Sequence, residues 1–427
     1  MSHDTPKRFI AALSVFALFA VTSSSAQAVT AATITTVTSS KNPTSCAQSV
    51  TFIIIVTLAN GITRITDGTI TFTLAPDPPL TSTIGSSGQS EFTINTSDPG
   101  HSSGLHAVTV TYNGTSTFNP SSASMTQTIT SAAHDFDGNC KSDILWRNTN
   151  GGIAMWLMNG ATVTSSLGIG SLTTDWTIVG QRDFDGDGFA DILWRNSNGG
   201  VAMWLMNSGT ITSSLGIGNV PTNWQIVGTG DFNNDGKGDI LWRDSNSGGV
   251  VVWLMSGGTV ASSLGVGTVP TNWVIAGTGD FDGDGMADIL WRDNNSGGIA
   301  LWLMNGGTIV STLGVGNVPT NWVIAGIGDF NGDGMADILW RQNNSGGVAM
   351  WLMSGGSIIS SAGVGNVPSN WVISATGDFN DDGKSDILWR DTNGGIAMWL
   401  MNGGIITSSL GVGNVPTDWQ IQGVNAD

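Results

Sequence analysis

Six short stretches of the chain carry carboxylates or carboxamides on alternate residues and close on one more aspartate. Counting from the first Asp, positions 1, 3, 5 and 9 are Asp135, Asp137, Asn139 and Asp143 in the first copy. They are Asp183, Asp185, Asp187 and Asp191 in the second, and Asp231, Asn233, Asp235 and Asp239 in the third. The fourth has Asp280, Asp282, Asp284 and Asp288, the fifth Asp329, Asn331, Asp333 and Asp337, the sixth Asp378, Asn380, Asp382 and Asp386. Glycine holds position 6 in copies two to six (Gly188, Gly236, Gly285, Gly334, Gly383). Hard oxygen donors spaced in this way around a glycine turn can wrap a calcium ion at about 2.3–2.6 Å, with the position-7 carbonyl as a further ligand. Mg²⁺ and Mn²⁺ are the other cations that such donors suit. An EF-hand is excluded, because its position 12 is Glu and here it is Trp194, Trp242 or Trp291.

The competing explanation is a set of polar turns in which Asp and Gly only shape the backbone. Against it, 20 of the 32 acidic residues occupy these ligand positions. Carboxylates that close together repel one another unless a cation offsets them. Up to six ions are therefore expected. The first loop departs from the pattern: Asn139 removes a charge, and Cys140 stands where glycine belongs, a cost of about 1 kcal/mol if the turn is left-handed. This site is expected to be the weakest or empty. Cys140 either pairs with Cys46 or both remain thiols.

The loops need elements to hold them, and the sequence repeats those as well. Asp-Phe recurs at 135, 183, 231, 280, 329 and 378, a period of 48 or 49 residues, and all 18 Trp lie in this region, three per copy. Each copy supplies four β-like runs; in the fourth they are 288–292, 299–304, 308–313 and 322–327. Runs such as Ile299-Ala-Leu-Trp-Leu-Met304 are apolar on both faces, as in sheets covered on both sides. A period of this length built from short strands indicates a propeller, here over 134–427 with six blades. An extra Trp run, 419–424, ends the array, and Ala426 stands where a seventh Asp would be. Open edges are a liability, so Trp419–Val424 is expected to pair beside Asp143–Arg147 and close the first blade.

Upstream, residues 29–132 alternate polar and apolar in Thr-rich stretches at 33–38, 50–58, 69–74, 91–94, 106–112 and 125–130, broken by turns such as Asp67-Gly68 and Asn113-Gly114. That predicts an antiparallel β-sandwich and an all-β chain. Residues 1–28, with Lys7-Arg8, a 13-residue apolar run and Ala26-Gln27-Ala28, predict a signal peptide cleaved near Ala28, hence a secreted or cell-surface protein. No later run is long enough for a membrane helix, so no membrane insertion is expected. A net charge of −18 argues against nucleic acid as a partner.

The Asp-Phe-x-Gly-Asp-Gly-x-x-Asp-Ile core resembles the FG-GAP/VCBS propeller repeats of bacterial extracellular proteins and integrin α-chains, over about 290 residues. The resemblance implies calcium of structural role, held between the innermost strand of a blade and the next. The order of the upstream strands resembles bacterial Ig-like repeat domains, which implies a spacer or interaction module.

If the Trp run is innermost, the ring face opposite the loops would present Trp176, Trp224, Trp273, Trp322, Trp371 and Trp419 together with Arg147, Arg195, Arg243, Arg292, Arg341 and Arg390. Aromatic faces beside Arg and Asn suit sugar rings; the alternative is packing between blades. No His lies in the array beyond His134 at its edge, and the clustered acids are those of the loops, so no catalytic constellation is expected. Binding or adhesion to an extracellular protein or glycan is the expected function, with a glycan-binding lectin and a structural spacer as alternatives.

Overall fold

The computed structural model describes residues 30–46, 48–96, 104–130 and 132–423. The signal-peptide expectation and His101 fall outside them. Among the described residues every regular element is a strand, and no helix is long and apolar enough to cross a membrane.

The N-terminal part is two sheets. One has the strand order Thr33–Ser39, Ser49–Leu58, Gln89–Asn95; the other runs Thr44–Ser45, Ser121–Thr130, Gly104–Tyr112, Thr69–Leu74, Leu80–Thr83. Alternation does what period two requires: Val50, Phe52, Ile54 and Val56 point inward from one sheet and meet Ile70, Phe72, Val108, Val110 and Tyr112 of the other. Phe72 sits between Phe52 at 5.1 Å and Phe92 at 4.7 Å. The buried Tyr112 hydroxyl donates to the Asp67 carbonyl at 3.0 Å, satisfying its polar tip. Thr44–Ser45 and Leu80–Thr83 are edge strands that the sequence reading did not include; both are short and flanked by proline.

The repeats form six four-stranded antiparallel sheets. Five are built from consecutive strands, for example Trp273–Gly279, Asp288–Asp293, Gly298–Asn305 and Thr308–Asn317. The sixth joins both ends of the array: Trp419–Gln422 pairs antiparallel with Ile144–Asn148, in the register Trp419 to Asn148. This is the closure expected from the sequence, and Val424 lies outside the described residues. The fourth strand of each sheet runs further than expected, to Asn317 rather than Leu313, because bulges in its pairing with the third strand carry it past the Gly-Val-Gly segment.

The Trp-initiated strands are the innermost, and successive ones touch. Thr278 Oγ1 donates to the Thr229 carbonyl at 2.7 Å and Thr376 Oγ1 to Ile327 at 2.9 Å. A Cβ on Gly180 would come within 2.7 Å of Thr229, and one on Gly326 within 2.5 Å of Thr376. Glycine at this place lets the strands converge on the axis.

The seams between blades are polar and aromatic. The second-strand tryptophans Trp146, Trp194, Trp242, Trp291, Trp340 and Trp389 are fully buried. Each meets the third-strand Trp of its own blade at 4.8–5.1 Å between centroids, with the ring planes tilted by 59–64°. Over each lies an arginine of the preceding blade, Arg147 on Trp194 and so on around to Arg390 on Trp146, at 5.0–5.3 Å. Six equivalent contacts with none left over mean that the ring closes without a gap.

Candidate metal centre

Acidic loops two to six each join an innermost strand to the second strand of its sheet, and the first leads from the N-terminal sheets into Ile144–Asn148. In the second loop the Asp183 carboxylate accepts the N–H groups of Gly186 at 2.6 Å and Gly188 at 2.8 Å, one on each oxygen. Asp185 accepts from Asp187 N–H and Asp187 from Phe189 N–H. These bonds bend the backbone into a cup, and the turn needs a positive φ at position 6: 94° at Gly188, 82° at Gly236, 87° at Gly285, 83° at Gly334, 76° at Gly383. Only glycine adopts that conformation without a steric penalty.

Position 9 has a role that ligand spacing does not reveal. Asp191 accepts Phe184 N–H at 2.9 Å on one oxygen and Met206 N–H at 2.8 Å on the other. The same pair of bonds recurs at Asp143, Asp239, Asp288, Asp337 and Asp386. This aspartate therefore clamps the loop to the third strand, and each oxygen keeps a lone pair that can face a cation.

The loops are also tied to one another. The position-1 carbonyl of each accepts the position-8 N–H of the next: Asp135 from Ala190 at 2.7 Å, then Asp183 from Gly238, Asp231 from Ala287, Asp280 from Ala336, Asp329 from Ser385 and Asp378 from Ser142, all at 2.6 Å. Six hydrogen bonds make a closed circuit through all six loops. Lys141 of the first loop adds an ion pair at 3.8 Å with Asp381 of the sixth.

The side chains at positions 1, 3 and 9 converge. In Asp135/Asp137/Asp143, Asp183/Asp185/Asp191 and Asp280/Asp282/Asp288 one oxygen from each residue lies within 4.8 Å of the other two. A cation 2.3–2.6 Å from each oxygen fits such a trio. Asp137 Oδ1 is buried with no protein partner, an arrangement that a bound cation would relieve. In loops three, five and six, position 3 is the amide of Asn233, Asn331 or Asn380, each donating to the position-5 carboxylate of Asp235, Asp333 or Asp382. The position-5 acids Asp187 and Asp284 stand outside the trios, and in the first loop Asn139 accepts the Lys141 N–H on its Oδ1 at 2.8 Å.

Electrostatics agree with the need for compensation. Burial pushes Asp191 and Asp143 up to about 9, Asp288 and Asp386 to about 8, and Asp239 and Asp337 to about 7. The backbone donors oppose the rise, and the neighbouring aspartates add to it. Burial, with Asp137 close by, likewise lifts Asp135 to about 8, and burial lifts Asp183 and Asp378 to about 7. Without a cation these groups hold protons near neutral pH.

The first loop does not stand apart in geometry. Cys140 takes the left-handed turn at φ 66° and is disulfide-bonded to Cys46 of the N-terminal sheets, while Asp135, Asp137 and Asp143 converge as in loops two and four. The bond ties this left-handed residue to the N-terminal sheets, while Asn139 still leaves the loop one charge short of loops two and four.

The tryptophan and arginine face needs correction. Arg147, Arg243, Arg292, Arg341 and Arg390 are buried and Arg195 is nearly so. Arg292 donates to the carbonyls of Gly297 at 2.8 Å, Val318 at 2.7 Å, Pro319 at 3.2 Å and Trp322 at 3.3 Å while stacking on Trp340. Both terminal nitrogens of Arg292 are thus engaged by the connection between blades, and although Nη1 of Arg147 and of Arg390 is buried without a protein partner, burial withdraws the arginines from a ligand on that face. Trp176, Trp224, Trp273, Trp322, Trp371 and Trp419 are half-buried, their rings laid on glycine: a Cβ on Gly298 would lie 3.1 Å from Trp273 and one on Gly152 3.5 Å from Trp419. Asparagines beside them are also engaged, Asn223 with Asp244 at 2.8 Å and Asn272 with Asp293 at 2.9 Å. Two blades exchange the partners, with Asn196 donating to Asp175 and Asn148 to Asp418. That Asp-for-Asn exchange is readable in the repeats and marks the pair as structural.

Four overlapping stretches, 183–242, 231–291, 280–340 and 329–389, match the FG-GAP-like repeat family. Residues 183–389 are FG-GAP-like repeats. The FG-GAP-like stretch contains loops two to six, and the first loop repeats its pattern upstream with Asn139 and Cys140 as departures. No curated protein matches the chain. Among solved structures, a functionally unknown protein from Desulfotomaculum acetoxidans is 11% identical over 64% of this chain and 81% of its own, with a TM-score of 0.38. The Dos1 propeller is 10% identical over 68% and 88% (TM-score 0.36). The Myceliophteria thermophila Cps50 (Swd1) β-propeller domain is 9% identical over 71% and 91% (TM-score 0.35).

Proposed function

We propose that the chain is a secreted, non-catalytic, calcium-stabilised binding or adhesion module whose FG-GAP-like ring meets an extracellular protein or glycan. The observation that carries this reading is the convergence of the carboxylates at positions 1, 3 and 9 in loops one, two and four of a set of six that are hydrogen-bonded to one another around the whole ring. In each loop those three residues, with the position-7 carbonyl, would hold the ion. Its charge would offset the buried carboxylates and fix the cup, a structural role.

The loop face is the one that the N-terminal sheets cover. Cys46 is bonded to Cys140 of the first loop, Gly104 approaches Asp187 of the second, Thr128 approaches Gly236 of the third, and Gln48 approaches Gly334 of the fifth. A partner is therefore expected on the opposite face, where Val274, Val323 and Val372 are exposed on consecutive blades beside the Trp edges. Support for a non-catalytic reading comes from commitment: the buried acids are tied to loop amides, and His134 is buried against Gln181 and pushed down to about 4 by that burial.

A glycan-binding lectin remains the second reading, favoured by the half-exposed indoles alone now that the arginines are withdrawn; a structural spacer is the third. Calcium titration of the metal-free protein should count several sites per chain, and the loaded protein should bind an extracellular protein or glycan ligand through the valine and Trp face. Absence of calcium binding overturns the metal reading. Silence on a glycan array overturns the lectin reading, and loss of binding in Val323→Asp identifies the face.

A further inference from the structure

We propose that the cavity between the N-terminal sheets and the loop face is a second binding site, for a small ligand bearing a carboxylate or sulfate group. The chain has 14 Lys and Arg against 32 acids. Lys7 and Arg8 precede the described residues, and the six blade arginines are spent in the seams. Of the six cations that remain, Lys41, Arg182, Lys237 and Lys384 all line one cavity of about 240 Å³. In so acidic a chain this gathering needs a cause.

Neutralising the neighbouring aspartates is the obvious one, and the geometry speaks against it. The acids that border the cavity are the position-1 aspartates of loops two to six. Each has both carboxylate oxygens occupied by N–H groups of its own loop, as with Asp280 and the N–H groups of Gly283 and Gly285 at 2.6 and 2.8 Å. Among the described residues neither Lys237 nor Lys384 has an ion-pair partner, whereas Lys141, outside the cavity, pairs with Asp381. The lysine stems lie across the preceding loops: a Cβ on Gly186 would be 3.1 Å from Lys237 Cε, and one on Gly332 3.4 Å from Lys384 Cε.

The repeat pattern is broken in the same direction. Arg182 stands where copies three to six have Gly230, Gly279, Gly328 and Gly377 and the first has His134. From the N-terminal sheets, Lys41 Nζ donates to Gln48 Oε1 at 3.0 Å, which turns the Gln48 amide nitrogen toward Gly334 as a further donor. The lining thus offers ammonium and amide donors from both parts of the chain. The volume equals that of about eight liquid waters, enough for one compact group and too little for a polymer. The inference does not rest on the metal reading, since the cations that line the cavity are not among the residues that would hold the ion.

The test is isothermal titration of the full chain in calcium buffer with sodium sulfate, glucuronate and glucose as probes. Saturable binding of sulfate or glucuronate, with none of glucose, is expected, and which anion binds tells sulfate from carboxylate. Lys237→Gln with Lys384→Gln should weaken it about ten-fold or more. Lys41→Gln, on the N-terminal side, should weaken it too, and Lys141→Gln should leave it unchanged. No binding of either anion up to about 10 mM overturns the proposal. So does equal binding of glucose, or an equal loss in Lys141→Gln.

Discussion

The two parts of the chain are both made of antiparallel strands and are held together by opposite means. The N-terminal sheets enclose one apolar core, with Phe52, Phe72, Phe92 and Tyr112 at its centre and, among the described residues, no acidic cluster. The ring divides its apolar residues among the seams and adds arginine, tryptophan and buried aspartate at each. Apolar burial needs nothing from solution. Buried carboxylates need a cation or a proton. The difference makes the ring conditional and the N-terminal sheets not.

Removing divalent ions is the strongest way to break that comparison. Chelation should lower the melting of the ring by about 10 °C or more, because each occupied site adds several kcal/mol at saturating ion. The transition of the N-terminal sheets should stay in place. Calorimetry with and without EDTA measures both, and a ring that melts unchanged would falsify calcium stabilisation. The pH dependence sharpens the same point. The loop acids have folded values raised from 3.8 to about 7–9, so the folded state holds more protons than the unfolded between those limits. The metal-free ring should therefore be most stable near pH 4 and lose stability as pH rises toward about 9, while calcium affinity rises over the same window.

Deleting 416–427 should come next in size. It removes the strand that pairs with Ile144–Asn148 and leaves Arg390 and Trp146 at an open edge. Limited proteolysis should then cut the repeats and spare the N-terminal sheets; equal resistance to the intact chain would show that the ring does not depend on its closure.

Asp288→Ala should destabilise the ring by about 2–6 kcal/mol even in EDTA, since it strands the N–H groups of Phe281 and Met304. A loss seen only with calcium present would assign position 9 to ligation alone. Cys46→Ser with Cys140→Ser should cost about 2–4 kcal/mol through the 94-residue loop that the disulfide closes. It should also relax the first calcium site more than the others. Smallest is Arg292→Lys, about 1–2 kcal/mol, because the ammonium keeps the charge and loses the fork that reaches four carbonyls.

Much of the ring was legible because each signal was written six times. Glycine at position 6, the alternating acids and the extra Trp419 run each specify local geometry, and the structure places them as local rules require. The arginines allowed two readings, a ligand face or packing between blades, for a physical reason: a charged side chain next to a turn looks exposed until the following blade supplies carbonyls and an indole to cover it. The clamp at position 9 was hidden because its second partner, the Met304 N–H in the case of Asp288, lies 16 residues further on and across a strand pair.

The sequence by itself determined the repeat, the strand order within a blade, the cups of aspartate and the pairing of the two ends, since all of these follow from short-range spacing and one unpaired strand. Only the tertiary structure decided that the N-terminal sheets sit on the loop face, that Cys46 reaches Cys140, and that the arginines are interior while four other cations share a cavity. Those depend on which surfaces meet, and contact between surfaces far apart in the chain is set by the sum of many small complementarities that no local spacing records.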